Sequence, residues 1–194
     1  MKTKTFTLLL LCIQFSVFAC KKADTPEVTN ARKGSTFYVD AKNGDDNNNG
    51  KTPAKAWKSL QKINGYQFMA GDSLLFKAGD RWAGQLTPKG SGDAANPIVV
   101  SVYNGTKKAL LDGEGKVSEV LKLEDVDYWE VNHLEITNNA TTIGSRLGVL
   151  VKDNGASRKH IHLKNLYIHD IMGDYSFEMK GKNTGGIGII GTAE

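Results

Sequence analysis

The sequence predicts an all-β solenoid of stacked coils behind an export signal, and three observations carry this. The first is an apolar N-terminal leader ending at a cysteine. The second is a repeat with a 32-residue offset (129 to 161). The third is a skip in the apolar alternation inside that repeat, which a flat sheet would not need.

The leader comes first. Lys2 and Lys4 precede a largely apolar run from Phe6 to Phe18. The run is too short for a comfortable bilayer span and reads as a secretory signal over residues 1–19. Val17-Phe18-Ala19-Cys20 resembles a bacterial lipobox, with the bulky Phe18 departing from the small residue of that pattern. Cys20 is therefore the expected lipid-attachment residue of an outer-membrane or cell-surface lipoprotein. Cleavage after Ala19 to a soluble periplasmic or secreted protein is the alternative. Of the two cysteines, Cys12 leaves with the signal, so the mature chain has no intramolecular disulfide.

Charge narrows the partners. Removing Lys2 and Lys4 lowers the net charge from +4 to +2. No basic block stands out beyond Lys21-Lys22, so nucleic acid is not an expected partner. Membrane contact is expected through the lipid alone, and the protein is expected to be a monomer.

Residues 20–35 are polar and read as a tether. The β-helical domain is assigned to 36–194, with an N-terminal cap at 36–80 and coils at 81–194. Thr36–Val39, Ser73–Lys77 and 97–103 are strand-like, separated by turn-rich stretches. Thr52-Pro53 marks a helix start, and Ala56, Trp57, Leu60 and Ile63 form its apolar stripe. A capping helix is thus expected over 53–63, ended by Gly65.

The repeat aligns Trp129–Asn138 with Ile161–Asp170. Apolar residues match at 129/161, 131/163, 134/166 and 136/168. The step from 131 to 134 puts a corner at 132–133, and its copy at 164–165, with strands on both sides still pointing inward. Asn165 suits such a corner because asparagine tolerates left-handed backbone. Gly148–Val151 and Gly186–Ile189 form a second matching pair. Glu130, Glu135, His162 and Tyr167 are expected to face solvent.

With these elements placed, a family resemblance becomes visible. It lies in Phe37-Tyr38-Val39-Asp40, Gly44-Asp45-Asp46-Asn47, Ala56-Trp57-Lys58-Ser59-Leu60, Gly71–Gly79, Ala95-Asn96-Pro97-Ile98 and the coil repeats. Together these resemble right-handed parallel β-helix proteins of the pectate-lyase-like superfamily over residues 36–191. The resemblance implies that the helix seals the first coil and that the substrate groove follows one column of strands. The Gly-led strands are the expected column, flanked by loops 138–147 and 170–185. The C-terminal end carries no cap, so the chain is expected to be a truncated fragment, inactive alone, with its catalytic coils missing.

The resemblance leaves the activity open. The leading expectation is a polysaccharide lyase acting on uronate-containing glycan. A glycoside hydrolase, or a non-catalytic glycan-binding or adhesive module, is the alternative. A lyase needs a base and a cation to neutralise the carboxylate, whereas a hydrolase needs two carboxyl groups across the bond. Arg146, Lys152, Asp170, Asp174 and Glu178 are the catalytic candidates. Calcium is the one cofactor left open. Asp45, Asn47 and Asn49, followed by Gly50, match half of a calcium loop whose closing glutamate position is Ala56. His160 and His162, two apart and outward, lack a third ligand at metal spacing in the sequence. Tyr167 and Tyr175 suggest sugar stacking.

Overall fold

The computed structural model describes residues 34–155, 157–174 and 184–191. The leader, Cys20, the tether, Tyr175 and Glu178 lie outside them. Among the described residues no helix is long and apolar enough to cross a membrane.

The chain is built from strands that recur in passes. Strand β1 (Thr36–Val39) leads to a 3-10 turn (Pro53–Lys55) and helix α1 (Leu60–Asn64). Strands β2 (Ser73–Lys77) and β3 (Arg81–Ala83) follow. Three passes of three strands come next: β4 (Ile98–Tyr103), β5 (Ala109–Asp112) and β6 (Glu119–Glu124); β7 (Trp129–Asn132), β8 (Leu134–Asn138) and β9 (Leu147–Lys152); β10 (Ile161–Lys164), β11 (Tyr167–Ile171) and β12 (Gly185–Ile190). Each pass contributes one strand to each of three sheets, ordered β1-β2-β4-β7-β10, β3-β5-β8-β11 and β6-β9-β12. All the pairings are parallel.

The expected repeat register is observed. Ile161 pairs with Trp129 and Leu163 with Val131 in the first sheet, and Ile168 with Ile136 in the second. Ile187 pairs with Val149 and Ile189 with Val151 in the third. Inward side chains therefore form continuous rows: Phe37-Leu74-Val100-Val131-Leu163, Trp82-Leu111-Ile136-Ile168 and Leu121-Val149-Ile187. The corner residues His133 (φ 66°) and Asn165 (φ 49°) are left-handed, and so are Tyr128 (φ 57°) and His160 (φ 52°) at the preceding corner. Both pairs obey the same 32-residue offset.

Packing explains the glycine at the second position of β9, Gly148. A Cβ there would sit 2.6 Å from Ile168 Cγ2 and 2.7 Å from Gly186 O. Its absence lets β11 approach β9.

The expected helix over 53–63 is corrected. Its first half is only the 3-10 turn, and Thr52 makes no side-chain cap. Trp57 is drawn into an extended bridge beside β1: its N–H donates to Tyr38 O at 2.9 Å, and its carbonyl accepts from Asp40 N at 2.9 Å. That pairing forbids helix at 56–58. The helix restarts at Leu60, capped by Ser59, whose hydroxyl oxygen accepts from Lys62 N at 3.1 Å. Asp46 secures this start, accepting from Lys58 N, Ser59 N and the Ser59 hydroxyl at 2.8, 3.0 and 2.6 Å. Burial alone would raise the Asp46 pKa, but these hydrogen bonds outweigh it and lower the pKa.

The predicted apolar stripe is nonetheless buried, with Ala56, Trp57, Leu60 and Ile63 all in the core. Trp57 stacks on Phe37 (centroids 4.7 Å apart), and Phe37 meets Tyr66 and Phe68 at 4.6 and 5.7 Å. Each indole N–H has a backbone acceptor: Asn48 O for Trp57, Lys58 O for Trp82 and Gly90 O for Trp129. Large apolar rings are thus buried without an orphaned donor.

The rows should dominate stability. Ile136 is fully buried between Leu111 and Ile168 in register. Ile136→Ala is expected to lower the unfolding free energy by about 2–5 kcal/mol, and Ile136→Val by about 0.5–1.5 kcal/mol. Urea titration checks both values, and equal costs would contradict the row packing.

Candidate functional site

The third sheet carries the candidate groove. Along β6, Leu121 and Leu123 are buried, while Lys122 and Glu124 alternate with them. In-register pairing sets Lys122 beside Leu150 and Glu124 beside Lys152, with Gly188 and Ile190 next to these on the following strand. A hollow of about 330 Å³ lies against this face, lined by Glu119, Lys122, Leu147, Leu150, Lys152 and Ile190 among others. A larger hollow of about 490 Å³ borders α1, but its Asp46 is committed to the helix start.

Glu124 is clamped on this face. Its carboxylate lies 2.7 Å from Lys122 Nζ and 3.1 Å from Lys152 Nζ, and accepts from Asn154 Nδ2 at 3.2 Å. Hydrogen bonds from Lys122, Asn154 and Lys152 pull its pKa from 4.5 down to about 2. Glu124 is therefore ionised at neutral pH and holds no proton to donate. Glu119 is held differently, accepting from the Ser118 hydroxyl at 2.7 Å and from Gln85 Nε2 at 3.0 Å. Five residue steps of strand, about 16 Å between Cα atoms at the usual rise, separate the two acids, and each is held by its own partners.

Other sequence candidates have clear surroundings. Arg146 donates from Nε to Gly115 O, and from Nη1 to Thr142 O and Met172 O, at 3.0, 3.0 and 3.1 Å. It ties together the loops that border the face. Lys152 belongs to the Glu124 clamp. Asp170 lies at a register shift in β11 with φ 51°, its Oδ2 2.9 Å from His169 Nδ1. Asp174 N donates to the Thr184 hydroxyl at 3.3 Å. Asp45 Oδ1 accepts from Asn47 N and Nδ2 at 2.9 and 3.0 Å, and Asn49 Oδ1 accepts from Lys51 N at 2.9 Å. These oxygens shape the turn itself. It closes at Gly50 (φ 71°), where a Cβ would meet the Trp57 ring at 2.7 Å.

Two clusters lie on the other outer faces. His169 Nε2 is 3.0 Å from Glu135 Oε1, and Tyr167 stacks on the His169 ring at 4.2 Å while 53% exposed. Hydrogen bonds to Glu135 and then Asp170 raise the His169 pKa. On the first sheet, Glu130, His160 and His162 converge. Sequence spacing missed this set because its carboxylate comes from the preceding pass. The signal was present in the 32-residue alignment, which sets Glu130 opposite His162.

Comparisons with known proteins show what this chain is similar to. No family model matches the chain. It is 30% identical over 200 residues to a lacto-N-biosidase of Bifidobacterium longum, covering 75% of this chain and 12% of that protein. It is 28% identical over 117 residues to alpha-1,3-galactosidase A of Akkermansia muciniphila, covering 57% of this chain and 20% of that one. A crystal structure of the GH136 lacto-N-biosidase from Eubacterium ramulus superposes with a TM-score of 0.74. Identity there is 29%, over 84% of this chain and 31% of that one. The chain thus spans about a third of that structure and much less of the Bifidobacterium protein. By their names these relatives are glycosidases, and none of the three is a lyase. The expectation of a lyase finds no support in them; the alternative fits better.

The Glu124 clamp sets a pH window. A depressed folded pKa contributes stability above the unfolded value of about 4.5, which is lost as pH falls through about 2. Carboxyl NMR should place the Glu124 midpoint near the lower value, and Lys152→Met should move it upward. An unmoved midpoint would contradict the clamp.

Proposed function

We propose that this chain builds part of a right-handed parallel β-helix glycoside hydrolase, with the glycan running along the β6, β9 and β12 face. The likeness to the Eubacterium ramulus enzyme, at 29% identity over 84% of the chain, carries this reading. The face suits glycan binding because the exposed Ile190, with the buried Leu147 and Leu150 flooring the hollow, adjoins charged hydrogen-bonding groups.

The same face argues against uronate lyase chemistry. A lyase would need cations to neutralise the substrate carboxylate, yet Lys122 and Lys152 are already committed to Glu124. Binding, rather than bond cleavage, is the role proposed for this face. The relatives' names point to lacto-N-bioside and α-1,3-galactoside linkages as the first substrates to try. Export by the 1–19 leader and anchoring through Cys20 would place such an enzyme where glycans are met outside the cell. The exposed Tyr167 stacked on His169 supports a second reading, a sugar-binding platform on the second sheet.

The whole gene product should be assayed with p-nitrophenyl lacto-N-bioside, p-nitrophenyl α-galactoside and a panel of uronate polymers. Release of p-nitrophenol, without unsaturated-product absorbance from the polymers, is expected. Unsaturated products from a uronate polymer would overturn the hydrolase reading. Glycan retention without turnover of any substrate would favour the binding platform.

A further inference from the structure

We infer that Glu130, His160 and His162 form a site for a divalent first-row transition metal ion, such as zinc, on the outer face of the first sheet. It clips β10 and the corner before it to β7. Nothing in the proposed glycan chemistry requires this site, and it stands on its own geometry.

One ligand atom from each residue lies within 4.8 Å of the others, the one such group of three among the described residues. Glu130 Oε1 is 2.9 Å from His160 Nε2 and 3.8 Å from His162 Nδ1. Ligand atoms on a tetrahedral zinc with bonds of about 2.0–2.1 Å are about 3.3 Å apart. The two observed distances bracket that value, so small side-chain rotations would close the site. The imidazole centroids are 3.9 Å apart with the rings tilted by 31°, and both direct a nitrogen at the same oxygen. An imidazole nitrogen from each ring and one carboxylate oxygen are thus available together to a cation between them.

The surroundings hold the ligands in place. Lys164 Nζ binds Glu130 Oε2 at 2.8 Å, fixing the carboxylate while leaving Oε1 turned to the histidines. Such outer support orients a metal ligand. Tyr128 stacks on His160 (centroids 5.6 Å apart), and the left-handed backbone of His160 brings its ring back over the strand. Imidazole and carboxylate donors suit zinc, copper or nickel better than calcium. All three residues are at least partly exposed, so an ion can enter and coordination positions stay open to water.

The test uses the full chain without a histidine tag. Zinc chloride is titrated by calorimetry, with thermal unfolding followed alongside. One equivalent should bind saturably and raise the Tm, and a chelator should reverse the rise. His160→Gln and His162→Gln should each weaken binding by at least about tenfold, as loss of a direct ligand should exceed loss of its support. Both variants should fold, since the side chains lie outside the core. His169→Gln, at the other histidine–carboxylate cluster, should leave zinc affinity unchanged. X-ray absorption should show two imidazole nitrogens at about 2.0–2.1 Å. No saturable zinc binding, or equal affinity in all three variants, would overturn the site.

Discussion

In-register stacking of inward side chains is the constraint on which the rest of this structure depends. Each of the three parallel sheets has its own inward row, so a buried residue in the middle of a row is held by the strand before it and the strand after it. Ile136 touches the rows of both neighbours, and Val131 and Val149 do the same in their sheets. Each buried aliphatic side chain contributes about 1.5–3 kcal/mol. A one-residue slip would turn a whole row outward, so one error of register would cost several such contributions together.

The same constraint builds the outer faces. Once the inward rows are set, the alternate residues of successive passes must also line up. That is how Glu124 comes to lie beside Lys152, and Glu130 beside His162, from positions about thirty residues apart. The corners add a second source of order. Left-handed residues recur at the same offset, and at 160 the strained residue carries a side chain of the histidine–carboxylate cluster. Charged groups on these faces are mostly paired across neighbouring strands, as in the Glu124 clamp and the His169 cluster. On the third-sheet face Lys122 and Lys152 are thus already committed to Glu124.

Much of this was legible in the sequence, and what was missed has physical reasons. The skip from Val131 to Leu134 marked the corner, because strict alternation cannot place both residues inward. The 32-residue match set the register of β7 with β10 and β8 with β11. Strands β3 and β5 were missed because three or four residues with one or two inward side chains make no visible alternation. The helix over 53–63 was overestimated because local signals at Thr52-Pro53 lost to a non-local bridge between Trp57 and β1. The Glu130–His160–His162 cluster was missed because metal spacing was sought along the chain rather than across the stack. The glycan-acting reading rests on kinship rather than on a pair of acids read from the sequence.

Disulfide trapping tests the stacking register most directly. In a background lacking Cys12 and Cys20, Glu135→Cys and Tyr167→Cys place two thiols on paired outward positions of β8 and β11. Neighbouring strands lie about 4.7–4.9 Å apart, within the Cα separation that a disulfide accepts. Mild oxidation should join this pair, while Glu135→Cys with Ile168→Cys, on opposite faces, should stay reduced. Cross-linking of the second pair in preference to the first would mean that the strands are offset by one residue, and would contradict the stacked rows described here.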